Sequence, residues 1–207
     1  MVRRGDTLRE HIVDAAKLVF LESGFERSSM DAIAARAQTS KRSLYAHFAT
    51  KDELFAAAVE RIRSQFGERM LTPESYQAVP LEAVTRYCGR FTQLLRWASV
   101  ARTCRLGIAE ADRVPEVAAG LYEALFGDTA RALAGYLAER CSLPAGPAAA
   151  AASTLLGVAA HPSFPRLLFG LDPVVEELPD QERLDAEVDL EGIRRAAAAL
   201  LPSLADA

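Results

Sequence analysis

Apolar positions recur at intervals of three and four near the start of the chain: Leu8, Ile12, Ala15, Ala16, Val19 and Phe20. One buried stripe on a helix produces that spacing. The pattern predicts a first helix from about Thr7 to Glu22, capped by Asp6 or Thr7. Gly24 suits the left-handed position after the last turn, and Phe25 can pack back onto the helix. Ser28 or Ser29 then caps a short second helix, with Asp31 in its first turn, Ile33 and Ala34 facing inward, and an end near Ala37. After the turn "AQTS", Ser40 caps a third helix that runs through Phe48. Thr50 and Glu53 have capping-box spacing and start a fourth. That helix carries Leu54, Phe55, Ala58, Val59, Ile62 and Phe66 at heptad-like intervals and ends near Met70.

Beyond the linker "TPESYQAVP", the segment 81–114 reads as one or two helices, with Val84, Phe91, Leu94, Leu95 and Trp97 on its early part. Pro115 opens another, with Val117, Leu121, Leu125, Ala132, Leu133 and Leu137 in phase and Gly127 as a point of interruption. "AAAAASTLLGVAA" (148–160) is a chargeless helix, buried within one subunit or packed closely across two. Prolines 162, 165 and 173 break or kink the chain beyond it. Pro173 to Asp180 reads as an exposed loop, and a last helix lies within Gln181 to Leu201, with Asp189 and Gly192 blurring its register. No alternating run of β-branched residues appears anywhere, and Ala and Leu dominate. The expected fold class is all-α.

The net charge of -4 gives no global signature for an anionic partner. Its distribution does. Residues 1–51 hold nine Lys and Arg against six Asp and Glu, whereas residues 71–207 hold twelve against eighteen. A basic front and an acidic remainder place the anionic partner at the front. The 207 residues accommodate three parts: an N-terminal helical domain over 1–51, in which two short helices joined by a tight turn span about 29–48; a connecting helix and linker over 52–79; and a second helical domain over 80–207.

Cys88, Cys104 and Cys141 lack C-x-x-C spacing, so reduced thiols in a cytoplasm are expected. Cys104 lies between Arg102 and Arg105, cationic neighbours of the kind that favour a thiolate. No run of eighteen apolar residues is present, and "MVRRGDTLREHI" has no apolar leader core, so neither a membrane span nor secretion is expected. His11, His47 and His161 are scattered, and no nucleophile elbow, metalloprotease helix, phosphate loop or dinucleotide fingerprint occurs. Neither catalysis, nor a metal, nor a cofactor is expected.

"TSKRSLYAHFATKDEL" (Thr39 to Leu54) explains the basic front. The second helix of a helix-turn-helix presents its N-terminal end to the major groove. Free N–H groups and partial positive charge gather there, and Ser40, Lys41, Arg42 and Ser43 add hydroxyls and cations. Arg and Lys can also pair with guanine O6 and N7. Tyr45 and His47 lie on the outer face, while Leu44 and Phe48, four apart, anchor the helix from behind. Lys51 falls in the first turn of the fourth helix, where a cation opposes the macrodipole unless an anion stands nearby. Ser29 offers another helix start to the same backbone.

"IVDAAKLVFLESGFERSSMDAIAARAQTSKRSLYAHFATKDELF" resembles the DNA-binding domain of the TetR/AcrR family of transcriptional regulators. The resemblance implies operator contacts by Ser29, Thr39, Lys41, Arg42, Ser43, Tyr45, His47 and Lys51. It departs from the family at Gln38, where the turn usually has glycine, and at Arg42, where a small residue is usual. "RLGIAEADRVPEVAAGLYEALFGDTARALAGYLAE" resembles an AefR-like branch of the same family. The implied protein is a homodimer joined through its last two long helices. It acts as a repressor on a palindromic double-stranded operator and is released by a small molecule in its second domain. Phe91, Leu94, Trp97, Cys104, Ile108, Tyr122, Phe126 and Leu155 are the candidates to line that cavity. The absence of internal Lys or Arg clusters points to a neutral, apolar effector. The alternative is a regulator of the same fold that answers to a partner, or to no effector.

Overall fold

The computed structural model describes residues 4–76, 79–177, 180, 183, 184 and 187–201. The helices are α1 (Arg4–Arg27), α2 (Met30–Arg36), α3 (Lys41–His47), α4 (Lys51–Met70), α5 (Pro80–Arg96), α6 (Ala98–Ala109), α7 (Pro115–Tyr122), α8 (Asp128–Arg140), α9 (Ala145–Ala160), α10 (Ser163–Leu168) and α11 (Leu190–Leu200). No strand occurs among the described residues, so the all-α expectation holds. The chain divides into two compact units, one of residues 1–65 and 102–121, the other of residues 66–101 and 122–207. Residues 102–121 therefore cluster with the N-terminal helices, a grouping that no linear division of the sequence expresses.

In the first unit, the stripe read from the sequence is the buried face of α1: Ile12, Ala15, Ala16, Val19 and Phe20. Ile33 and Ala34 of α2, Leu44 of α3, and Leu54, Phe55, Ala58 and Ile62 of α4 are buried in the same unit, and the Phe20 ring meets that of Phe55 at 5.3 Å. α1 begins earlier than the stripe implied, at Arg4, and the Asp6 cap lies outside the described side chains. Its break falls at Gly24, whose backbone (φ 75, ψ 173) is outside the helical region. A Cβ there would meet nothing within 4 Å, so the demand is on the backbone alone. The break turns Phe25 inward, where its ring stacks on Phe20 at 5.9 Å and meets Phe55 edge-on at 5.2 Å.

In the second unit α5 is central, buried almost throughout from Leu81 to Leu95. Thr92 Oγ1 donates to the Ala159 carbonyl of α9 at 2.8 Å, and Tyr87 Oη donates to the Thr129 carbonyl of α8 at 3.0 Å. Gly89 lets α11 approach, since a Cβ there would stand 2.5 Å from Leu190 Cδ2. α9 buries one face, including Ala148, Ala152, Leu155 and Ala159, and exposes the other. The helical segment from Pro115 is not cut at Gly127; it widens into a π turn over Glu123–Gly127 and continues as α8. Asp189 caps α11 by accepting from Gly192 N at 2.8 Å, so the two residues that blurred the register are its start signal. The segment after Pro173 is more than an exposed loop. Val175 exchanges backbone hydrogen bonds with Arg96 and Ala98 across the break at Trp97, as a single parallel bridge.

Candidate nucleic-acid interface

Each helix start at the basic front is built by its own side chain. Ser29, rather than Ser28, caps α2, accepting from Ala32 N at 3.1 Å. Ser40 caps α3, accepting from Ser43 N at 3.0 Å and donating to Ser43 Oγ at 2.9 Å. Thr50 caps α4 through Glu53 N at 3.1 Å, and Glu53 Oε2 reaches back to Ala49 N at 2.9 Å. Leu44 is fully buried and Phe48 nearly so, so α3 is held from behind as its spacing implied. Arg9 lies over the Phe48 ring at 4.8 Å.

The turn between α2 and α3 is a Schellman motif. Thr39 N donates to Ala34 O at 3.0 Å, and Gln38 N donates to Ala35 O at 3.1 Å. Gln38 occupies the left-handed position at φ 48. The turn therefore keeps its conformation without glycine, at a steric cost of roughly 1–2 kcal/mol for an L-residue. Gln38 is exposed, so the cost has no packing return from a buried side chain. Gln38→Gly is expected to raise the unfolding free energy by about 0.5–1 kcal/mol, after the extra chain entropy of glycine is subtracted. Urea unfolding followed by circular dichroism checks this, and an unchanged or lower midpoint contradicts it.

Around that turn the candidate residues divide by exposure. Ser29, Ser40, Lys41, Arg42 and Tyr45 are exposed; Thr39, Ser43, His47 and Lys51 are half-buried. Lys41 Nζ pairs with Asp31 Oδ2 of α2 at 2.5 Å. Both groups are solvated, so the pair is weak and a stronger anion can displace it. Arg42 has no hydrogen-bond or ion-pair partner among the described residues, so its fork of donors is available to a ligand.

Lys51 has protein partners that its sequence position did not show. Its ammonium donates to the carbonyls of Phe25 at 2.9 Å and Ser28 at 3.1 Å, and it lies 4.1 Å from the centre of the Phe25 ring. The electronegative neighbour that its place in α4 required is thus the turn after the break in α1. Two of its three protons are used there, leaving one for a phosphate. Sequence spacing could not supply this, because the acceptors stand 26 and 23 residues away. Arg113, just before α7, carries no sequence signal either; its guanidinium lies 3.5 Å from the centre of the same ring.

The eight candidates for an effector cavity fall in both units. Phe91, Leu94, Trp97 and Leu155 are buried in the second unit. Phe126 is half-buried there, with its ring 5.7 Å from that of Phe91. Cys104 is buried in the first unit, and Ile108, in the last turn of α6, is 65% exposed. Tyr122 is 64% exposed and stacks on Phe126 at 5.3 Å. Tyr122 and Ile108 are therefore corrected as interior residues. Leu121 and Leu125 are the buried positions, and Tyr122 stands about 100° around the helix from Leu121. Trp97 is the cap of α5, not a helical position. A separate cleft of about 480 Å³ opens among the ends of α5, α9, α10 and α11, lined by Arg96, His161, Leu167, Asp172 and Ile193 among others, and by none of the eight. Arg90 of α5 is fully buried, donating to Gln93 Oε1 at 2.7 Å. The unit's interior is thus not without a cation. Burial pushes the Cys104 thiol up to about 12, against the thiolate that its arginine neighbours suggested.

Three helices around one core, a tight turn, and an exposed helix start carrying hydroxyls and an unpartnered guanidinium define a helix-turn-helix DNA-binding protein. Comparison with known proteins makes the class specific. Residues 12–58 match the family described as bacterial regulatory proteins, tetR family. Residues 82–190, more than half of the chain, match the AefR-like transcriptional repressor C-terminal domain. The chain belongs to the TetR family of bacterial regulatory proteins, with an AefR-like C-terminal domain; the family is one of transcriptional regulators rather than enzymes.

Among curated relatives, the chain is 34% identical over 70 residues to the DNA-binding transcriptional repressor TetR of Mycobacteroides abscessus, spanning 34% of this chain and 37% of that protein. It is 36% identical over 92 residues to the A-factor receptor protein of Streptomyces griseus, spanning 44% and 31%. The matches thus cover about a third of these relatives' length. Among solved structures, a TetR-family regulator from Mesorhizobium loti superposes with a TM-score of 0.76 at 23% identity, covering 99% of this chain and 98% of that one. The flavonoid-responsive regulator FrrA superposes with a TM-score of 0.67 at 24% identity, covering 97% and 96%. These two likenesses are of fold. No helix among the described residues is long and apolar enough to cross a membrane.

Proposed function

We propose that this chain is a sequence-specific DNA-binding regulator, a homodimer that represses from a palindromic operator and leaves it when a small, mainly apolar molecule binds the second unit. The exposed start of α3 carries the proposal: Ser40, Lys41, Arg42 and Ser43 stand together on a helix fixed from behind by Leu44 and Phe48. Lys41, Ser43, Tyr45 and His47 then serve the phosphates, with Ser29 and Thr39 at the neighbouring backbone, and Arg42 reads a base edge. Two copies are needed because one recognition helix reads few base pairs, and two half-sites multiply specificity.

The effector half of the proposal rests on Phe91, Leu94, Trp97, Phe126 and Leu155 of the second unit, and on family membership. Release follows from linkage: a molecule that fits the second unit better when the two recognition helices are wrongly spaced weakens DNA binding by the same factor. α4 is the transmitter in this reading, since the boundary between the two units falls within it. A panel of apolar small molecules screened by thermal shift tests it. A compound that raises the melting temperature is expected to lower operator affinity, and stabilising compounds that leave affinity unchanged would refute ligand release.

A further inference from the structure

The segment between α6 and α7 reaches the turn that sets α2. Arg113 lies 3.5 Å from the centre of the Phe25 ring and 5.8 Å from that of Phe55. Its Nε donates to Glu110 Oε2 at 2.7 Å, and its Nη1 pairs with Asp52 of α4. Glu110 is itself buried, at the point where α6 has just ended, and its backbone carbonyl accepts from the amides of Arg113 and Val114. The guanidinium is therefore held in one orientation by a carboxylate on its own turn, a carboxylate on α4 and an aromatic face.

That aromatic face belongs to a joint. Lys51 Nζ stands 4.1 Å from the centre of the Phe25 ring, so the ring meets a second cation. The Phe25 carbonyl accepts from Lys51 Nζ at 2.9 Å, from Ser28 Oγ at 2.6 Å and from Ser28 N at 3.2 Å. Ser28 is buried, and the next residue is Ser29, the cap of α2. A displacement of the Phe25 ring thus reaches the first turn of the helix-turn-helix through a short, tightly bonded stretch of chain. Phe25 and Arg113 are distant in sequence, and this contact makes them neighbours.

We infer that Arg113 is a positioning residue for DNA reading: it clamps Phe25, and through the turn 25–28 it sets the placement of α2 and α3. It acts through Phe25 and touches no DNA itself. The inference rests on the reading of α2 and α3 as the DNA-contacting pair, but the clamp can be tested without DNA.

The experiment uses the full-length chain with Arg113→Gln and Arg113→Lys. Hydrogen exchange is followed at the Ser28, Ala32 and Ile33 amides, all bonded at this joint. In the Gln variant they are expected to exchange about tenfold faster, with amides of α9 unchanged, and Lys should restore part of the protection. Unchanged rates at the joint, or equal acceleration in α9, overturn the clamp. The DNA arm uses the sequence that the wild-type chain selects from a random double-stranded pool. Arg113→Gln should lose about tenfold in affinity for it with an unaltered salt slope. A slope reduced by about one makes Arg113 a phosphate contact and overturns the inference. If the wild-type chain selects no sequence, the DNA reading fails and the exchange rates still decide the clamp.

Discussion

Replacing Lys51 by methionine is expected to lower the unfolding free energy by about 3 kcal/mol. The ammonium makes two charge-assisted hydrogen bonds, to the carbonyls of Phe25 and Ser28, and rests against an aromatic ring. Hydrogen bonds to charged groups contribute roughly 1.5–3 kcal/mol each, and a partly desolvated cation over a ring roughly 1–2 kcal/mol. These contributions overlap, so their sum is an upper bound. Two offsets apply. Phe25 O retains the Ser28 donors, and a cation in the first turn of α4 costs about 0.3–1 kcal/mol that methionine would recover. Methionine keeps the length and apolar stem, so packing changes little. Chemical unfolding measures the loss directly. A change below about 0.5 kcal/mol would mean that the carbonyls are equally well served by water, within the usual range for surface substitutions.

Arg42→Ala is expected to cost about 1–3 kcal/mol of discrimination at one base position of each half-site. Arg42 is exposed on the second residue of α3 and has no protein partner among the described residues, so nothing within the chain must be broken before it binds. Its side chain should therefore read a base without loss to folding. Lys41 differs, since Asp31 competes for it. Binding of Arg42→Ala to a set of operators, each altered at one position, should become indifferent at a single position and remain selective elsewhere. A uniform loss across all sequences would reduce Arg42 to a phosphate contact.

The N-terminal helices are legible in the sequence because their signals are local. Ser40, Thr50 and Glu53 cap within three or four residues of themselves, and the α1 stripe needs only a helical period. Gln38 stands out in the sequence as a departure from a usual glycine, and the structure gives it a definite place at the left-handed position of a Schellman turn. The hidden features depend on distant chain. The partners of Lys51 come from the turn after α1, and Arg113 meets Asp52 across 61 residues. No periodicity carries either. The second half is harder to read for a related reason: large apolar and aromatic side chains suggest an interior that not all of them reach. Tyr122, about 100° around the helix from the buried Leu121, is exposed, and Ile108 lies on the last turn of α6. Arg90, a cation on the most buried helix, could not be recognised as interior from its charge, because such residues are rarely fully buried.

Lys51 and Arg113 show how this reading head is built. The start of α3 is short, while the joint behind α2 draws on α1, α4 and the turn before α7. A cation at a helix start can fix the helices through protein acceptors and still keep a donor for a phosphate, as Lys51 does.

The most direct measurement is selection by the wild-type chain from a pool of random double-stranded DNA, with sequencing of the bound fraction. Enrichment of one inverted repeat is expected, with half-sites about one helical turn or a multiple of it apart. Affinity for that repeat should fall steeply with salt, as several phosphate contacts require. A pool that remains random after repeated rounds, or enrichment of a single half-site bound by one copy of the chain, would contradict sequence-specific reading by a dimer.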